Sequence, residues 1–163
     1  MPVVPFDSLP DSCRVWIFGA ASALSPDAAT ALLRDVELYL EGWKAHGNPL
    51  TVGNQLREER FLVVAVDQKQ EGATGCSIDG LFRVLQGLES TLGTSLVGGG
   101  RVYYRDGHGK VAAAERDDVA GLASSGAITK DTVVFDTSLT DLGAFRAKFE
   151  RPARDSWAAS LLP

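Results

Sequence analysis

Residues that commonly form metal and disulfide sites are scarce in this 163-residue chain, which has two cysteines and two histidines. Two cysteines are too few for a disulfide scaffold, and the histidines lack any local ligand spacing, so we expect no metal site. Positive charge is also in deficit, with 16 Lys and Arg against 21 Asp and Glu. That balance excludes the basic surface typical of proteins that bind nucleic acid or anionic membranes. No sequence feature indicates a cofactor.

Long apolar runs are missing as well. A spanning helix needs about 20 consecutive apolar residues, and the runs here are far shorter. Residues 1–12 contain three prolines and have neither a basic n-region nor an uninterrupted apolar stretch, so they do not resemble a secretion signal. We expect an irregular N-terminal lead-in over residues 1–12, and a cytoplasmic protein with no membrane partner.

The composition is that of a globular protein, with 45% hydrophobic and 23% charged residues. We expect residues 13–163 to form one globular domain, with a possible subdivision near the glycine-rich stretch 94–100. Strand-like runs cover residues 13–19, 60–67, 101–105, 110–113 and 132–136, and helical periodicity covers 26–46, 78–92 and 115–124. The order is βαβα, a hairpin, then αβ, which predicts an α/β or α+β fold with a mixed sheet and helices packed on it. We expect the first strand–helix–strand connection to be a right-handed parallel crossover.

The most distinctive segment joins the apolar strand 60–67 to the helix that follows it. Glycines at 72 and 75 permit a tight backbone path, and Cys76 lies near the predicted helix N-terminus, where partial positive charge stabilises a thiolate. The candidate ligand-binding residues are Thr74, Gly75, Cys76, Ser77 and Asp79. The alternative is that Cys76 packs as a small buried hydrophobe, which is the commoner role of such a cysteine.

A catalytic interpretation needs a base beside this cysteine. His46, predicted at the end of the first helix, is a candidate, and a Cys76–His46 pair would suit acyl or thiol transfer. The alternative role for His46 is a cation that closes the helix C-terminus.

Several segments together resemble a family of small uncharacterised bacterial proteins that sometimes carry the label "ABC transporter ATPase". The similar segments are 14–17, 42–47 (Gly-Trp-Lys-Ala-His-Gly), 60–67, 75–79 (Gly-Cys-Ser-Ile-Asp), 132–135 and 155–157. The resemblance covers nearly the whole chain from Arg14 and implies a single intact domain without supplying a reaction. Relatives typically have Trp-His near the C-terminus, whereas this chain has Trp157-Ala158.

The ATPase label conflicts with the motifs of the chain. A P-loop needs Gly-x-x-x-x-Gly-Lys-Ser/Thr between a strand and a helix. The run Gly98-Gly99-Gly100 lacks the lysine, and Lys110 is followed by Val111 in a predicted hairpin. We therefore expect that the protein is not an ABC-type ATPase.

A binding module is the competing interpretation. Tyr103, Tyr104 and Trp157 are aromatic residues of the kind enriched at protein interfaces, although they would equally suit a core. The segment from Val102 to Val134 is loosely similar to GYF-like peptide-binding modules. We therefore expect an interaction or small-ligand-binding protein, with an unidentified protein or small molecule as its partner, and keep the thiol-dependent enzyme as the alternative.

Overall fold

A computed structural model describes residues 3–45, 47–68 and 75–162, and it describes only the backbone of Ala45, Asn48 and residues 75–77. The fold is α+β, as the sequence predicts, with helices packed on antiparallel sheets of three and four strands. The chain forms two compact units, which are described separately: residues 1–97 with 139–146, and residues 98–138 with 147–163. Across the described ranges, no helix has the length and apolar character needed to cross a bilayer.

The first unit is built around a strand that is buried on both faces. Its strands are β1 (Arg14–Gly19), β2 (Lys44–Ala45), β3 (Asn48–Pro49), β4 (Thr51–Arg57) and β5 (Phe61–Asp67). The main sheet has the order β1-β5-β4, and β2 and β3 form a separate two-stranded ribbon. Residues 61–66 of β5 are all buried, which agrees with their continuously apolar character.

The strand directions in this sheet differ from the prediction. β5 pairs antiparallel with both neighbours, and Ala65 lies opposite Val15 on one side and Gly53 on the other. β1 and β4 consequently run parallel to each other but are separated by β5. The prediction that the strand at residues 60–67 follows β1 by a parallel crossover is therefore wrong. The crossover leads to β4, and the hairpin turn at Glu58 and Glu59 returns the chain between the two strands.

Helix α1 (Pro26–Glu41) begins as the sequence predicts. Ser25 is its N-cap and accepts a hydrogen bond at 3.1 Å from the backbone N–H of Ala28, which satisfies one of the orphan donors of the first turn. The helix ends at Glu41, short of the predicted end near Gly47. The reason is that the next residues pair with each other as β2 and β3 instead of continuing the helix.

Helix α2 (Gly75–Leu92) packs beside α1 and shares a core cluster with α1 and β5. The contact between the helices is very close at Gly80, where a Cβ atom would overlap the Tyr39 hydroxyl oxygen. Burial raises the pKa of Tyr39, although the charge of Arg83 and a hydrogen bond with Trp43 act in the opposite direction. Gly93 follows the helix with φ of 72°, the left-handed conformation in which many helices end.

The N-terminal segment covers the other face of the first sheet. A Cβ atom at Gly53 would lie 2.8 Å from a methyl carbon of Leu9, so the segment runs directly over β4. Phe6 packs edge-on against Phe145 of helix α4 (Leu142–Lys148), with ring centroids 6.1 Å apart. Residues of the predicted irregular lead-in thus belong to the core.

The second unit contains a four-stranded antiparallel sheet with the order β7-β6-β8-β9. Its elements are β6 (Arg101–Arg105), β7 (Val111–Glu115), α3 (Val119–Ser124), β8 (Val133–Phe135) and β9 (Glu150–Pro152). The predicted hairpin is confirmed as β6–β7, and Asp106-Gly107 lies in its turn, whereas β9 was not predicted. The C-terminal tail forms a 3₁₀ helix over Trp157–Leu161, and Trp157 packs against a buried cluster that includes Val134.

Candidate functional site

The glycine-flanked cysteine segment falls mostly outside the part of the molecule that can be described. Thr74 and His46 lie outside the described residues, and so does the predicted Cys76–His46 pairing. Gly75, Cys76 and Ser77 form the first turn of α2 as backbone. Asp79 is exposed in the second turn, because the helix begins at Gly75 and not at residue 78, where the helical periodicity begins.

The three aromatic residues considered for an interface are partly or wholly covered. Tyr103 is only 3% exposed, and its hydroxyl accepts a hydrogen bond from Arg101 Nε at 2.9 Å. Tyr104 and Trp157 are half-buried and pack on the clusters of the second unit. The interface role of these three residues therefore stays a prediction.

A cleft of about 350 Å³ lies within the second unit. It opens at the end of the sheet where β6 begins and β7 and β8 end. Its lining residues are Gly100, Arg101, Val102, Arg116, Phe135, Asp136, Thr137, Ser138, Arg151 and Trp157. The volume is in the range of small-molecule sites, and the lining combines three arginines with two aromatic rings and one carboxylate.

Strand register explains why these side chains meet. Tyr103 of β6 lies opposite Phe135 of β8, so the start of β6 meets the residues that follow β8. Arg101 lies opposite Glu115 at the end of β7. The backbone N–H of Arg116 then donates to the Gly100 carbonyl at 3.0 Å. Antiparallel pairing thus brings charged residues that are distant in sequence to one edge of the sheet.

Asp136 organises one wall of the cleft. It is 8% exposed, and one carboxylate oxygen accepts from the backbone N–H of Ser138 at 2.9 Å and from its hydroxyl. The other oxygen accepts from Arg151 Nη2 at 3.3 Å. A buried carboxylate is stable only when its oxygens are satisfied in this way. Asp136 therefore holds the Arg151 guanidinium at the cleft.

Arg116 is another lining residue, and it lies over the ring of Trp157. The Arg116 guanidinium carbon lies 4.6 Å from the ring centroid, a cation–π distance. The ring uses one face of the planar guanidinium and leaves its in-plane N–H donors for other acceptors. Arg116 is exposed, so a ligand can reach these donors from solvent.

The chemistry of this lining is recognition of negative charge. The lining holds three arginines and one carboxylate, of which Arg101 already donates to Tyr103, and guanidinium groups bind oxyanions through charge-assisted hydrogen bonds. The lining contains no histidine or cysteine, so it has no nucleophile–base pair of the kind expected for Cys76 and His46. Over the described residues, no group of three or more His, Cys, Asp and Glu is placed to hold a metal ion.

The first unit has a smaller cleft, of about 190 Å³. Its lining holds Arg146, which donates to Asp11 at 2.7 Å, and Arg57, which stacks over the Phe145 ring at 5.1 Å. These contacts resemble those of the larger cleft, and the smaller volume makes this the less favourable ligand site.

Sequence reasoning missed the arginine cleft. Arg116 and Arg151 stand alone in the sequence, and Arg151 lies on the unpredicted strand β9. One usable signal was Asp136-Thr137-Ser138 after a strand, since Asp followed two residues later by Ser is typical of a side-chain-capped turn. The sequence pattern did not show which arginines would lie beside that turn.

Comparison of the chain with family models, curated proteins and solved structures gives no match. The resemblance to the small bacterial family consequently stays a prediction that rests on the motifs quoted above.

Proposed function

We propose that this protein binds a small anionic ligand in the arginine-lined cleft of its second unit. The observation that carries the proposal is a cleft whose lining includes Arg101, Arg116 and Arg151 and one carboxylate, Asp136. In the whole chain, Asp and Glu outnumber Lys and Arg. The cleft lining differs from this average, because arginines outnumber carboxylates in it.

The details of the cleft support a binding role. Arg151 is oriented by Asp136 and Arg116 by Trp157, so both guanidinium groups are held before a ligand arrives. Such preorganisation lowers the entropic cost of binding. The sequence predicts either an interaction protein or a small-ligand-binding protein, and this proposal takes the second of these. The thiol-dependent alternative has no support from the described residues.

The test is a titration of ¹⁵N-labelled protein with sodium phosphate and with sodium acetate at constant ionic strength. We expect saturable amide shifts for Gly100, Thr137 and Ser138, which line the cleft, with dissociation constants on the order of 1 mM or below. Arg116→Gln should weaken binding about tenfold or more, because a hydrogen bond to a charged group contributes roughly 1.5–3 kcal/mol.

Arg154→Gln is the matched control. Arg154 belongs to the same unit, lies outside the cleft lining and pairs with Asp131. It should leave the affinity within twofold of the parent protein. Equal losses in the two variants, or no saturable shift with either anion, would overturn the proposal.

The resemblance to a family of small bacterial proteins supports a second proposal, which concerns origin and location and not ligand binding: the protein is bacterial and cytoplasmic. The acidic composition with two cysteines supports it. Cell fractionation of an expressing bacterium tests the location, and recovery in the periplasm would contradict it.

A further inference from the structure

The two larger sheets have four edge strands, and three of these edges are protected. An open edge offers unpaired backbone groups to other chains, so native proteins cover or shorten such strands. β1 is partly covered, because the backbone N–H of Val15 donates to the Thr140 carbonyl at 3.0 Å. β4 is partly covered, because the N–H of Val4 donates to the Val52 carbonyl at 2.8 Å. β9 has only three residues and ends at Pro152, which has no N–H for a further strand.

The fourth edge strand, β7, has none of these protections. It pairs with β6 in an unbroken register over Val111–Glu115, and among the described residues it has no second partner strand. It has five residues and no proline, and its three consecutive alanines are half-buried. Side chains this small do not obstruct another strand that approaches along the edge.

The hydrogen bonds that flank β7 show which of its backbone groups point to the open edge. At one end of the ladder the N–H of Asp106 donates to the Lys110 carbonyl at 2.8 Å. At the other end the N–H of Arg116 donates to the Gly100 carbonyl at 3.0 Å. Residue pairs of an antiparallel ladder alternate between bonded and non-bonded. The even-numbered residues of β7 therefore bond to β6, and the N–H groups of the odd-numbered residues, including Glu115, point to the open edge.

Charge is distributed unequally along this edge. Lys110 precedes the strand, whereas Glu115, Asp117 and Asp118 lie at its far end, and all four are exposed. The one cation among these acidic residues, Arg116, is stacked on an aromatic ring of the tail. An antiparallel copy of the strand places the basic end of each beside the acidic end of the other, whereas a parallel copy aligns like charges. The edge is therefore complementary to itself in the antiparallel direction.

Charge also selects the register. Two antiparallel copies related by a two-fold axis centre on one residue of the strand. Centring on Ala113 puts Lys110 level with Arg116 of the second copy, which brings like charges together. Centring on Ala114 puts Lys110 level with Asp118 of the second copy. Ala114 then faces its own copy as a non-bonded pair, in which side chains come closest, and its methyl group fits that position.

We infer that β7 is a self-association surface, at which two copies of the chain pair antiparallel about Ala114 and join their four-stranded sheets into one. In this register the N–H of Glu115 in each copy donates to the Ala113 carbonyl of the other. Backbone pairing of this kind supplies affinity in strand addition. A strand of five residues buries less surface than a permanent dimer does, so the association is weak and reversible. The inference is independent of the anion cleft.

The first measurement is the molecular mass as a function of protein concentration, by sedimentation or light scattering. We expect the mass to rise from 17.3 kDa toward twice that value between micromolar and millimolar protein. The rise should be smaller at about 1 M salt, because exposed charge pairs are then screened. A mass of one chain at every concentration would overturn the inference, including the case in which the edge receives a strand from a different protein.

Amide hydrogen exchange identifies the strand that associates. In dilute solution the N–H groups of Ala113 and Glu115 should exchange faster than those of Ala112 and Ala114, which bond to β6. The two outward amides should slow as the protein concentration rises. Association that leaves their exchange unchanged would put the interface elsewhere and overturn the inference.

A proline at the edge tests the backbone pairing. Glu115→Pro removes the outward donor without straining the strand, since Glu115 has φ of −70° and proline requires about −65°. It should weaken association about tenfold or more, because two symmetric hydrogen bonds are lost. Glu115→Gln is the matched control, because it removes the same charge and keeps the N–H. Equal losses in the two variants would contradict pairing through the backbone.

A charge exchange tests the direction and register. Lys110→Glu and Asp118→Lys should each weaken association severalfold, and the double variant should restore it. Both side chains are exposed and that of Asp118 caps no helix, so the fold does not depend on them. Lys130→Glu changes an exposed lysine of the same unit outside β7 and should leave association within twofold. A double variant as weak as the single ones would overturn the antiparallel register.

Discussion

The two units of this chain place their charged residues differently. In the first unit the central strand β5 is buried on both faces over residues 61–66, and the cleft that contains Arg57 and Arg146 has a volume of only about 190 Å³. In the second unit the strands are short, β7 is only half-buried, and arginines gather at one end of the sheet. The first arrangement suits stability and the second suits recognition.

The hairpin turns of the two units show the same contrast. The turn between β4 and β5 uses Glu58 and Glu59 with φ of 58° and 55°, a conformation that L-residues adopt at a cost. The turn between β6 and β7 uses Asp106 to accept backbone hydrogen bonds and has Gly109 at its positive φ. A well-packed sheet can hold an unfavourable turn, whereas a smaller unit depends more on favourable local chemistry.

The largest effect should come from truncating the core of the first unit. Leu32→Ala removes a side chain that is 0% exposed and should lower the free energy of unfolding by about 2–5 kcal/mol. Leu38→Ala is the control on the same helix, because Leu38 is 68% exposed and should change stability by less than about 0.5 kcal/mol. Urea denaturation measures both.

Leu32→Ala also tests whether the first unit stabilises the protein while the second unit binds the ligand. All cleft residues belong to the second unit, so the folded Leu32→Ala protein should keep its phosphate affinity within twofold. A large loss of affinity in the folded protein would break the division between a stabilising unit and a recognising one.

The close contact of α1 and α2 should give the next largest effect. Gly80→Ala places a methyl group where the Tyr39 hydroxyl lies, and should destabilise by roughly 1–3 kcal/mol through overpacking. Gly87→Ala in the same helix meets no atom within 4 Å and should stabilise by up to about 1 kcal/mol, because alanine favours a helix.

A double variant identifies the cause of that destabilisation. Removing the hydroxyl with Tyr39→Phe should reduce the cost of Gly80→Ala, measured by thermal and urea unfolding. If Gly80→Ala costs as much in the Tyr39→Phe background as in the parent protein, the hydroxyl contact is not the reason.

A smaller effect, an increase in stability, is expected from relieving the backbone strain in the turn between β4 and β5. Glu59→Gly should raise the free energy of unfolding by about 0.5–1 kcal/mol, since the left-handed conformation costs an L-residue roughly 1–2 kcal/mol and glycine gives back part of this as entropy. Glu59→Ala keeps the same backbone restriction and should be close to neutral. Equal stability of the Gly and Ala variants would show that the turn is not strained.

Much of the fold could be predicted because local signals were strong. Ser25-Pro26 begins α1, Gly93 ends α2, and Asp106-Gly107 lies in the β6–β7 hairpin; each depends on chemistry within a few residues. The order of strands in the first sheet depends on where the β4–β5 hairpin inserts, which is a tertiary choice. A turn of two glutamates gives no recognisable hairpin signal, and this explains why the strand at residues 60–67 was wrongly predicted to follow β1 by a parallel crossover.

The candidate site was less predictable for a related reason. The cysteine segment drew attention because its residues are contiguous, whereas the cleft combines residues from β6, β9 and the ends of β7 and β8. Arginine is usually a surface residue, so Arg116 and Arg151 gave no signal on their own. Only pairing between strands shows that they share one cleft.

The smallest predicted effect concerns the turn of the second unit. Hydrogen bonds from the backbone N–H groups of Lys110 and His108 lower the pKa of Asp106. A carboxyl whose pKa is lowered on folding favours the folded turn above the unfolded-state pKa, and this contribution disappears as the pH falls through the folded value. In a ¹³C carboxyl titration, Asp106 should therefore have a lower midpoint than aspartate in an unstructured peptide. Gly109→Ala should raise that midpoint, because Gly109 has φ of 77° and alanine disfavours the conformation that aligns the two donors. An unchanged midpoint in the variant would mean that the turn of the second unit depends as little on local chemistry as the Glu58–Glu59 turn of the first.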